Sequence, residues 1–127
     1  MPLVRIDVPS GTTDDYRRAI GDVVYAALTE VMKAPQNDRF QIITEHAPAN
    51  LIIDPTYLNI QRSPAAIIIQ ITLNDGRSVD LKKAFYKAIA DGLQARIGLR
   101  REDVFISLLE VKKENWSFGN GEAQYAT

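Results

Sequence analysis

The sequence contains no cysteine, and this absence excludes several kinds of chemistry. A chain without thiols forms no disulfide, carries no thiol nucleophile and offers no thiolate to a metal ion. Histidine is almost absent as well, because His46 is the only one in 127 residues. A site that holds a metal ion with several histidines of one chain is therefore also excluded, and we expect no metal site.

Neither the charge nor the hydropathy of the sequence indicates a nucleic-acid or membrane partner. The 15 basic and 16 acidic residues leave a net charge of −1, which creates no strong field of one sign. No apolar run approaches the ~20 residues of a membrane span, and no basic-then-apolar leader opens the chain. We expect a soluble, cytoplasmic protein whose residues 1–127 form one domain.

The chain contains an internal duplication with a constant offset of 65 residues and no gap. Gly11 aligns with Gly76, and Thr13 aligns with Ser78. Chance alone does not readily produce so many matches at one offset. The other matched pairs include Asp15 with Asp80, Leu28 with Leu93, Asp38 with Asp103, Phe40 with Phe105 and Glu45 with Glu110.

Each half of the repeat has the pattern of a strand, a helix and a second strand. The halves cover about residues 1–46 and 66–111, with a linker at 47–65 and a tail at 112–127. Apolar residues alternate in the strands and recur at three-and-four spacing in the helices. Caps are predicted at Thr12 or Thr13 and at Ser78, and helix ends at Pro35 and Gly98. The predicted strands are Leu3 to Val8, Arg39 to Glu45, Ala66 to Leu73 and Val104 to Val111.

Two tandem β-α-β units predict an α/β (α+β) fold. Right-handed crossovers place both helices on one face of a four-stranded sheet and leave the other face open. The segment from Ala66 to Ile69 is nevertheless apolar on both sides, as in a strand that is covered twice. We therefore expect other subunits to cover the open face, which predicts a homo-oligomer.

The start of the chain carries the first candidate for catalysis. Removal of Met1 would make Pro2 an N-terminal secondary amine at the beginning of a strand. An α-amino group titrates near pH ~7.7–8.0, and burial or nearby cations favour its neutral form. Such an amine can act as a general base at physiological pH. If Met1 is retained, the nitrogen of Pro2 is an amide and cannot act as a base.

Five further features of the sequence occur together in one known group of enzymes. They are Met1-Pro2-Leu3-Val4, Pro35 to Phe40 (PQNDRF), Gly76-Arg77-Ser78, Ala84 to Lys87, and Asn115 to Gly119 (NWSFG). Over nearly its whole length the chain resembles the tautomerase superfamily, and most of all its malonate semialdehyde decarboxylase-like branch. The resemblance implies a homotrimer with sites at the subunit borders, no cofactor, and a small oxo-acid or enol as substrate.

The resemblance also implies roles for single residues. Pro2 would be the catalytic base or acid, and Asp38 would assist it. Arg77 would bind the carboxylate of the substrate and polarise its carbonyl group. Arg39, which follows Asp38, is a further candidate for substrate binding. An aromatic lid would come from Trp116, Phe118 and Tyr125.

One position departs from the pattern of the decarboxylase branch. That branch has an arginine two positions before the equivalent of Arg77, where this chain has Asp75. One unlike charge pair at ~4 Å is worth about 4 kcal/mol at an effective dielectric of ~20. Exchanging attraction for repulsion beside the expected site weakens the binding of a carboxylate. The sequence therefore favours tautomerisation over decarboxylation.

Three functions remain open at this point. The first is a tautomerase for a small α-keto acid or enol, in which Pro2 moves a proton while Arg77 stabilises the enolate oxygen. The second is a decarboxylase or hydratase for a three-carbon oxo-acid, in which protonated Pro2 acts as an acid. The third is a non-catalytic trimer that binds a small metabolite or a protein partner.

Overall fold

The computed structural model describes residues 2–126 and contains two consecutive strand-helix-strand units. The elements are β1 (Leu3–Pro9), α1 (Asp14–Glu30), β2 (Phe40–His46), β3 (Ile67–Asn74), α2 (Val79–Ile97) and β4 (Val104–Val111). The sheet has the order β2-β1-β3-β4, in which β1 is parallel to β2, β3 is parallel to β4, and β1 is antiparallel to β3. The predicted architecture of two tandem β-α-β units is therefore confirmed.

The strand register brings two strand beginnings and two strand endings to one edge of the molecule. Leu3 pairs with Phe40 of β2 and with Thr72 of β3. Asn74 pairs with Val111, so β3 and β4 finish side by side. Because β1 and β3 are antiparallel, residues just before β1 lie beside residues just after β3. We call this edge, where β1 and β2 begin and β3 and β4 finish, the proline end of the sheet.

Both helices cover the same face of the sheet and bury every second residue of its two central strands, β1 and β3. From Ile67 to Leu73 the alternate side chains of β3 are at most 1% exposed, and α2 packs on them through Phe85, Ile89 and Leu93. The four-residue spacing of these three residues forms a single apolar stripe on the helix. Within the described residues, no helix has the length and apolarity that a membrane span requires.

The repeat is visible in the hydrogen bonds of the two halves. The side chains of Thr13 and Ser78 each accept a hydrogen bond of 3.1 Å from the main-chain nitrogen three residues later, which confirms both predicted caps. Two main-chain hydrogen bonds at strand ends occupy equivalent positions in the two halves. The N–H of Ser10 donates to the carbonyl oxygen of His46 at 2.9 Å, and that of Asp75 donates to the carbonyl oxygen of Val111 at 3.0 Å.

Glu45 and Glu110, which align in the repeat, hold equivalent structural places. Glu45 pairs with Arg17 of α1 at 3.2 Å, and Glu110 pairs with Lys82 of α2 at 2.8 Å. The pKa of Glu45 is lowered mainly by hydrogen bonds from Thr12. The pKa of Glu110 is lowered mainly by the hydrogen bond from Lys82. Each unit thus ties its second strand to its own helix.

Some predicted boundaries differ from those in the structure. Helix α1 ends at Glu30 rather than at Pro35, because Lys33 (φ 61°) adopts a left-handed backbone conformation that a right-handed helix cannot contain. Strands β2 and β3 each begin and end one residue later than predicted. Gly98 terminates α2 as predicted, with φ 68°.

The face of the sheet opposite the helices is open in the single chain and is largely apolar. Phe40, Ile42, Phe105 and Leu109 all lie on it and are between 41% and 51% exposed. The linker exposes further large apolar side chains, among them Ile52. Apolar surface of this extent is typical of an interaction surface. The open face is as predicted, and the oligomer that would cover it stays a prediction.

Candidate active site

The proline end of the sheet collects the residues that the sequence analysis singled out. They come from separate stretches of the chain, and the strand order alone brings these stretches to one edge. The set consists of Pro2 before β1, Asp38 and Arg39 before β2, Asp75 and Arg77 after β3, and Trp116 and Phe118 with Tyr125 after β4.

Pro2 is buried and lines a small pocket at this edge. The pocket has a volume of about 210 Å³, and Leu3, Phe40 and the segment Trp116 to Phe118 form its other walls. Drug-sized ligands occupy clefts of roughly 300–1,000 Å³, so this space suits a molecule of few non-hydrogen atoms. The structure thus places Pro2 against the same cavity as Trp116 and Phe118, two of the three residues of the predicted aromatic lid.

Four aromatic rings form a connected wall beside the pocket. Trp116 and Phe118 are stacked, with ring centroids 5.4 Å apart and an angle of 11° between the ring planes. Tyr125 meets Phe118 edge-on at 5.0 Å, and Phe40 lies 6.0 Å from Phe118. Such ring pairs contribute packing free energy beyond their buried area. We call these four residues the aromatic wall.

Two residues of this region were missed in the sequence. Phe40 belongs to the aromatic wall. The alternation of side chains along a strand could have identified it, because it places Phe40 on the same sheet face as its partner Leu3. Gln124 fixes the loop after β4. Its Oε1 accepts a hydrogen bond from the N–H of Phe118 at 2.9 Å, and its Nε2 donates to the carbonyl oxygen of Gly119 at 2.8 Å.

Arg77 lies between the end of β3 and the N-cap of α2 and is half-buried. Its Nη1 donates a hydrogen bond of 2.9 Å to the carbonyl oxygen of Asn74. Among residues 2–126, no carboxylate lies at ion-pair distance from it, but its charge helps to lower the pKa of Glu110 on β4. Its positive charge adds to that of the helix N-terminus, and both favour an anion at this place.

Asn74 is the third residue that the sequence analysis missed. Its side chain is only 8% exposed, and its Oδ1 accepts a hydrogen bond from the indole N–H of Trp116 at 2.7 Å. Asn74 therefore contacts both the aromatic wall and Arg77. The sequence around it, Asn74-Asp75-Gly76, indicated a turn and nothing more.

Arg39 is held by helix α1 and does not line the pocket. Its Nη2 donates to Oδ1 of Asp22 at 2.8 Å, and its guanidinium lies 5.0 Å from the ring centroid of Tyr25. Asp22 also pairs with Arg96 at 3.2 Å. The hydrogen bond from Arg39 is the main cause that lowers the pKa of Asp22, and Arg96 lowers it further. A role of Arg39 in substrate binding stays a prediction.

The two acidic candidates lie in the loops around the pocket. Asp38 is half-buried, in a turn where its N–H donates to the carbonyl oxygen of Pro35 at 3.3 Å. The side chain of Asp75 is exposed and is not part of the pocket lining. The roles of both residues stay predictions.

His46 lies at the other end of the sheet and plays no part in this pocket. Its Nε2 is 2.6 Å from Oδ1 of Asp7 on the neighbouring strand β1. Within the range 2–126, no group of three or more histidine and carboxylate side chains is arranged to hold a metal ion.

Comparisons with known proteins agree on one family. A family model described as tautomerase enzyme matches residues 38–119, and another with the same description matches residues 2–60. The chain is 36% identical to the probable tautomerase YusQ of Bacillus subtilis (strain 168) over 124 residues, 98% of each protein.

Solved structures extend this agreement to three dimensions. FG41 malonate semialdehyde decarboxylase inhibited by 3-bromopropiolate superposes with a TM-score of 0.90 at 44% identity, covering 97% of this chain and 93% of that one. A symmetric trimer of wild-type fused 4-OT gives a TM-score of 0.79 at 25% identity, covering 98% of each chain.

Proposed function

The chain belongs to the tautomerase family of enzymes, and from that premise we propose that the amine of Pro2, freed by removal of Met1, is its catalytic base. The substrate that we propose is a small α-keto acid or its enol. The burial of Pro2 in the small pocket supports this proposal most directly. Burial disfavours the charged form of an amine, and the neutral form is the one that accepts a proton. Met1 itself lies outside the described residues.

In the proposed reaction Pro2 moves one proton between oxygen and carbon. Its nitrogen takes the proton from the enol hydroxyl, the electron pair of the O–H bond becomes part of an enolate, and the carbon of the enolate then takes the proton back from Pro2. No bond other than these changes, and the amine returns to its neutral state. The reaction therefore needs no cofactor and no second substrate.

Arg77 is the proposed electrophile of this reaction. Negative charge develops on the oxygen of the enolate, and the half-buried guanidinium at the N-terminus of α2 can stabilise it. The planar fork of a guanidinium also suits the carboxylate of an α-keto acid. Asp38, in the turn before β2, is proposed to assist Pro2.

The aromatic wall has a proposed role in excluding water. Trp116 and Phe118 line the pocket together with Pro2, so a bound substrate would lie against rings rather than solvent. Less water around the reacting atoms strengthens each charge interaction there, because the local dielectric falls. Tyr125 contacts Phe118 from its edge and completes this side of the site.

A second candidate function is decarboxylation of a three-carbon oxo-acid. The similarity to FG41 malonate semialdehyde decarboxylase, at 44% identity, supports it. In that reaction protonated Pro2 and Arg77 would stabilise the charge that passes to the carbonyl oxygen when the bond to the leaving CO₂ breaks. The exposed carboxylate of Asp75, two residues from Arg77, argues against tight binding of a second anionic group.

The active form that we propose is a homotrimer. The apolar open face of the sheet, with Phe40, Ile42, Phe105 and Leu109, supports this assembly because such a surface is stabilised when it is covered. The fused 4-OT to which the chain is similar forms a symmetric trimer.

The pH dependence of two reactions separates the two enzymatic functions. Protein from which Met1 has been removed, as checked by its intact mass, is assayed with the enol of phenylpyruvate and with a 3-oxo-acid over a range of pH. A neutral base makes kcat/KM rise as the pH passes the pKa of the amine, whereas a protonated acid makes it fall. If neither substrate reacts faster than in buffer at any pH, the proposal is wrong.

A further inference from the structure

We infer that Asn74 is a positioning residue that holds the aromatic wall and Arg77 in fixed places relative to each other. Its side chain binds Trp116, and its main chain binds Arg77. The inference rests on the proposed function, because the pocket that these residues border is the one assigned to Pro2.

The side chain of Asn74 has one orientation imposed by its partner. Among residues 2–126, only Asn74 and Asp103 are buried polar residues. A buried amide costs free energy unless it is hydrogen-bonded, and here Oδ1 accepts the indole N–H of Trp116 at 2.7 Å. An indole nitrogen is only a donor, so it selects the oxygen of the amide and fixes which way the amide faces.

The main chain after Asn74 returns towards it and brings Arg77 back. Gly76 has φ +112°, a conformation that residues with a side chain rarely adopt, while nothing lies within 4 Å of a Cβ built there. Conformation rather than space therefore requires glycine at this position. This turn allows Nη1 of Arg77 to reach the carbonyl oxygen of Asn74 at 2.9 Å.

The internal repeat shows that the fold does not need this arrangement. At the offset of 65 residues, the position of Asn74 is occupied by Pro9, and that of Trp116 is occupied by Leu51. The equivalent strand ends of the first unit therefore form without a side-chain amide and without an indole. The contact between Asn74 and Trp116 occurs only in the unit whose strand endings lie beside Pro2, where a catalytic purpose accounts for it.

Fluorescence tests the contact without reference to activity, because Trp116 is the only tryptophan of the chain. The variant Asn74→Leu removes the acceptor but keeps a side chain of similar size, and Asn74→Asp keeps an oxygen in the same place. We expect Asn74→Leu to shift the emission of Trp116 to longer wavelength and to make it easier to quench with acrylamide. In Asn74→Asp, the emission and the quenching of Trp116 should stay close to those of the unmodified protein. Unchanged emission and quenching in Asn74→Leu would overturn the inference.

Kinetics test whether the contact serves the reaction. A misplacement of about 1 Å can cost about 10² in rate, so kcat of Asn74→Leu should fall by up to that factor. Trp116→Phe removes the donor of the same hydrogen bond and keeps an aromatic ring, although a smaller one. If the hydrogen bond accounts for the losses, those of the two single variants should not add fully in the double variant. Asn74→Asp keeps an acceptor oxygen but adds a negative charge near Arg77, so it should raise KM for an anionic substrate, by less at high salt.

The two kinds of measurement keep this inference separate from the proposed function. Thermal unfolding followed by circular dichroism identifies variants that do not fold. If Asn74→Leu is one of them, Asn74→Ala, which also removes the acceptor, replaces it in both kinds of measurement. If Pro2 proves not to be the base, the emission of Asn74→Leu still decides whether Asn74 positions Trp116. The inference is overturned if the losses of Asn74→Leu and Trp116→Phe add independently.

Discussion

The guanidinium of Arg77 donates to the carbonyl oxygen of Asn74 across 2.9 Å, and this contact holds a cation in place without neutralising it. A carbonyl oxygen carries only a partial charge, so the positive charge of Arg77 stays available to a ligand. Arg39 differs, because its guanidinium pairs with the carboxylate of Asp22. Two arginines near one edge of the sheet thus have different electrostatic surroundings.

From this difference we predict unequal effects of removing the two arginines. Arg77→Ala should lower kcat/KM for ketonisation of an enol by about 10²–10³, the usual cost of losing one preorganised donor at a developing charge. Arg39→Ala should have a much smaller effect on the rate. Steady-state assays of both variants provide the comparison, and equal small losses would identify Arg77 as a surface residue without a role in the reaction.

A charge reversal at Asp75 should increase the affinity for substrates that carry a carboxylate. Asp75→Arg replaces a negative charge with a cation that can bind a carboxylate through two hydrogen bonds. We expect KM for an oxo-acid to fall, most at low salt because screening is then weakest, and decarboxylation to become measurable.

The matched control for this variant is Asp15→Arg, which makes the same change of charge at an exposed place on helix α1. Helix α1 begins after the end of β1, at the edge opposite the proline end. KM should not respond to this change. If KM of Asp75→Arg also stays constant at every ionic strength, the side chain of Asp75 points away from the substrate.

Charge on the open face of the sheet should break up the oligomer. Leu109→Glu places a carboxylate among Phe105 and the other apolar residues of that face, where burial in an interface would cost much free energy. Light scattering should change from the mass of a trimer to that of a single chain of 14.2 kDa. Val79→Glu, at an exposed apolar position where α2 begins, should remain trimeric. An unmodified protein that is monomeric at micromolar concentration would contradict the assembly.

The pairing of Asp22 with Arg39 should make stability depend on pH at the acidic end. The pKa of Asp22 is lowered from 3.8, chiefly by the hydrogen bond from Arg39, so its contribution is full above 3.8 and is lost as the pH falls through the lowered value. Asp22→Asn should therefore lower the free energy of unfolding at pH 7, and the difference should shrink in acid.

The size of this effect is limited by solvent, since exposed ion pairs contribute about 0.2–1 kcal/mol each. Denaturant unfolding of the protein and of Asp22→Asn at pH 7 and below 3.8 measures it. Asp15→Asn, on the first turn of the same helix, provides the comparison. A difference that stays constant down to the lowest pH would show that the charge of Asp22 contributes nothing.

Local signals in the sequence predicted most of the fold. Thr13 and Ser78 were identifiable as caps because a cap bonds to a nitrogen only three residues away. The internal repeat then allowed the same strand-helix-strand pattern to be assigned to both units. The end of α1 was wrong because Pro35 suggested a stop, whereas the chain leaves the helix earlier and turns at Lys33.

The parts of the site that the sequence did not predict depend on distant contacts. Asn74 and Trp116 are 42 positions apart, and no local pattern relates an amide after one strand to an indole after another. The ion pair of Arg39 with Asp22 likewise needs the packing of α1 beside β2. The role of Pro2 stays a prediction, and it could be made from the sequence because it depends only on the position of Pro2 after Met1.

The rate of the protein with a blocked Pro2 nitrogen tests the central claim most directly. Two preparations are made, one processed to Pro2 and one that retains Met1, and intact mass identifies each before both are assayed with the same enol. Pro2→Ala is a weaker test because it leaves a primary amine that can still accept a proton. We predict that the processed form accelerates ketonisation and that the form with Met1 reacts no faster than buffer. Equal rates for the two forms would contradict the assignment of Pro2 as the base.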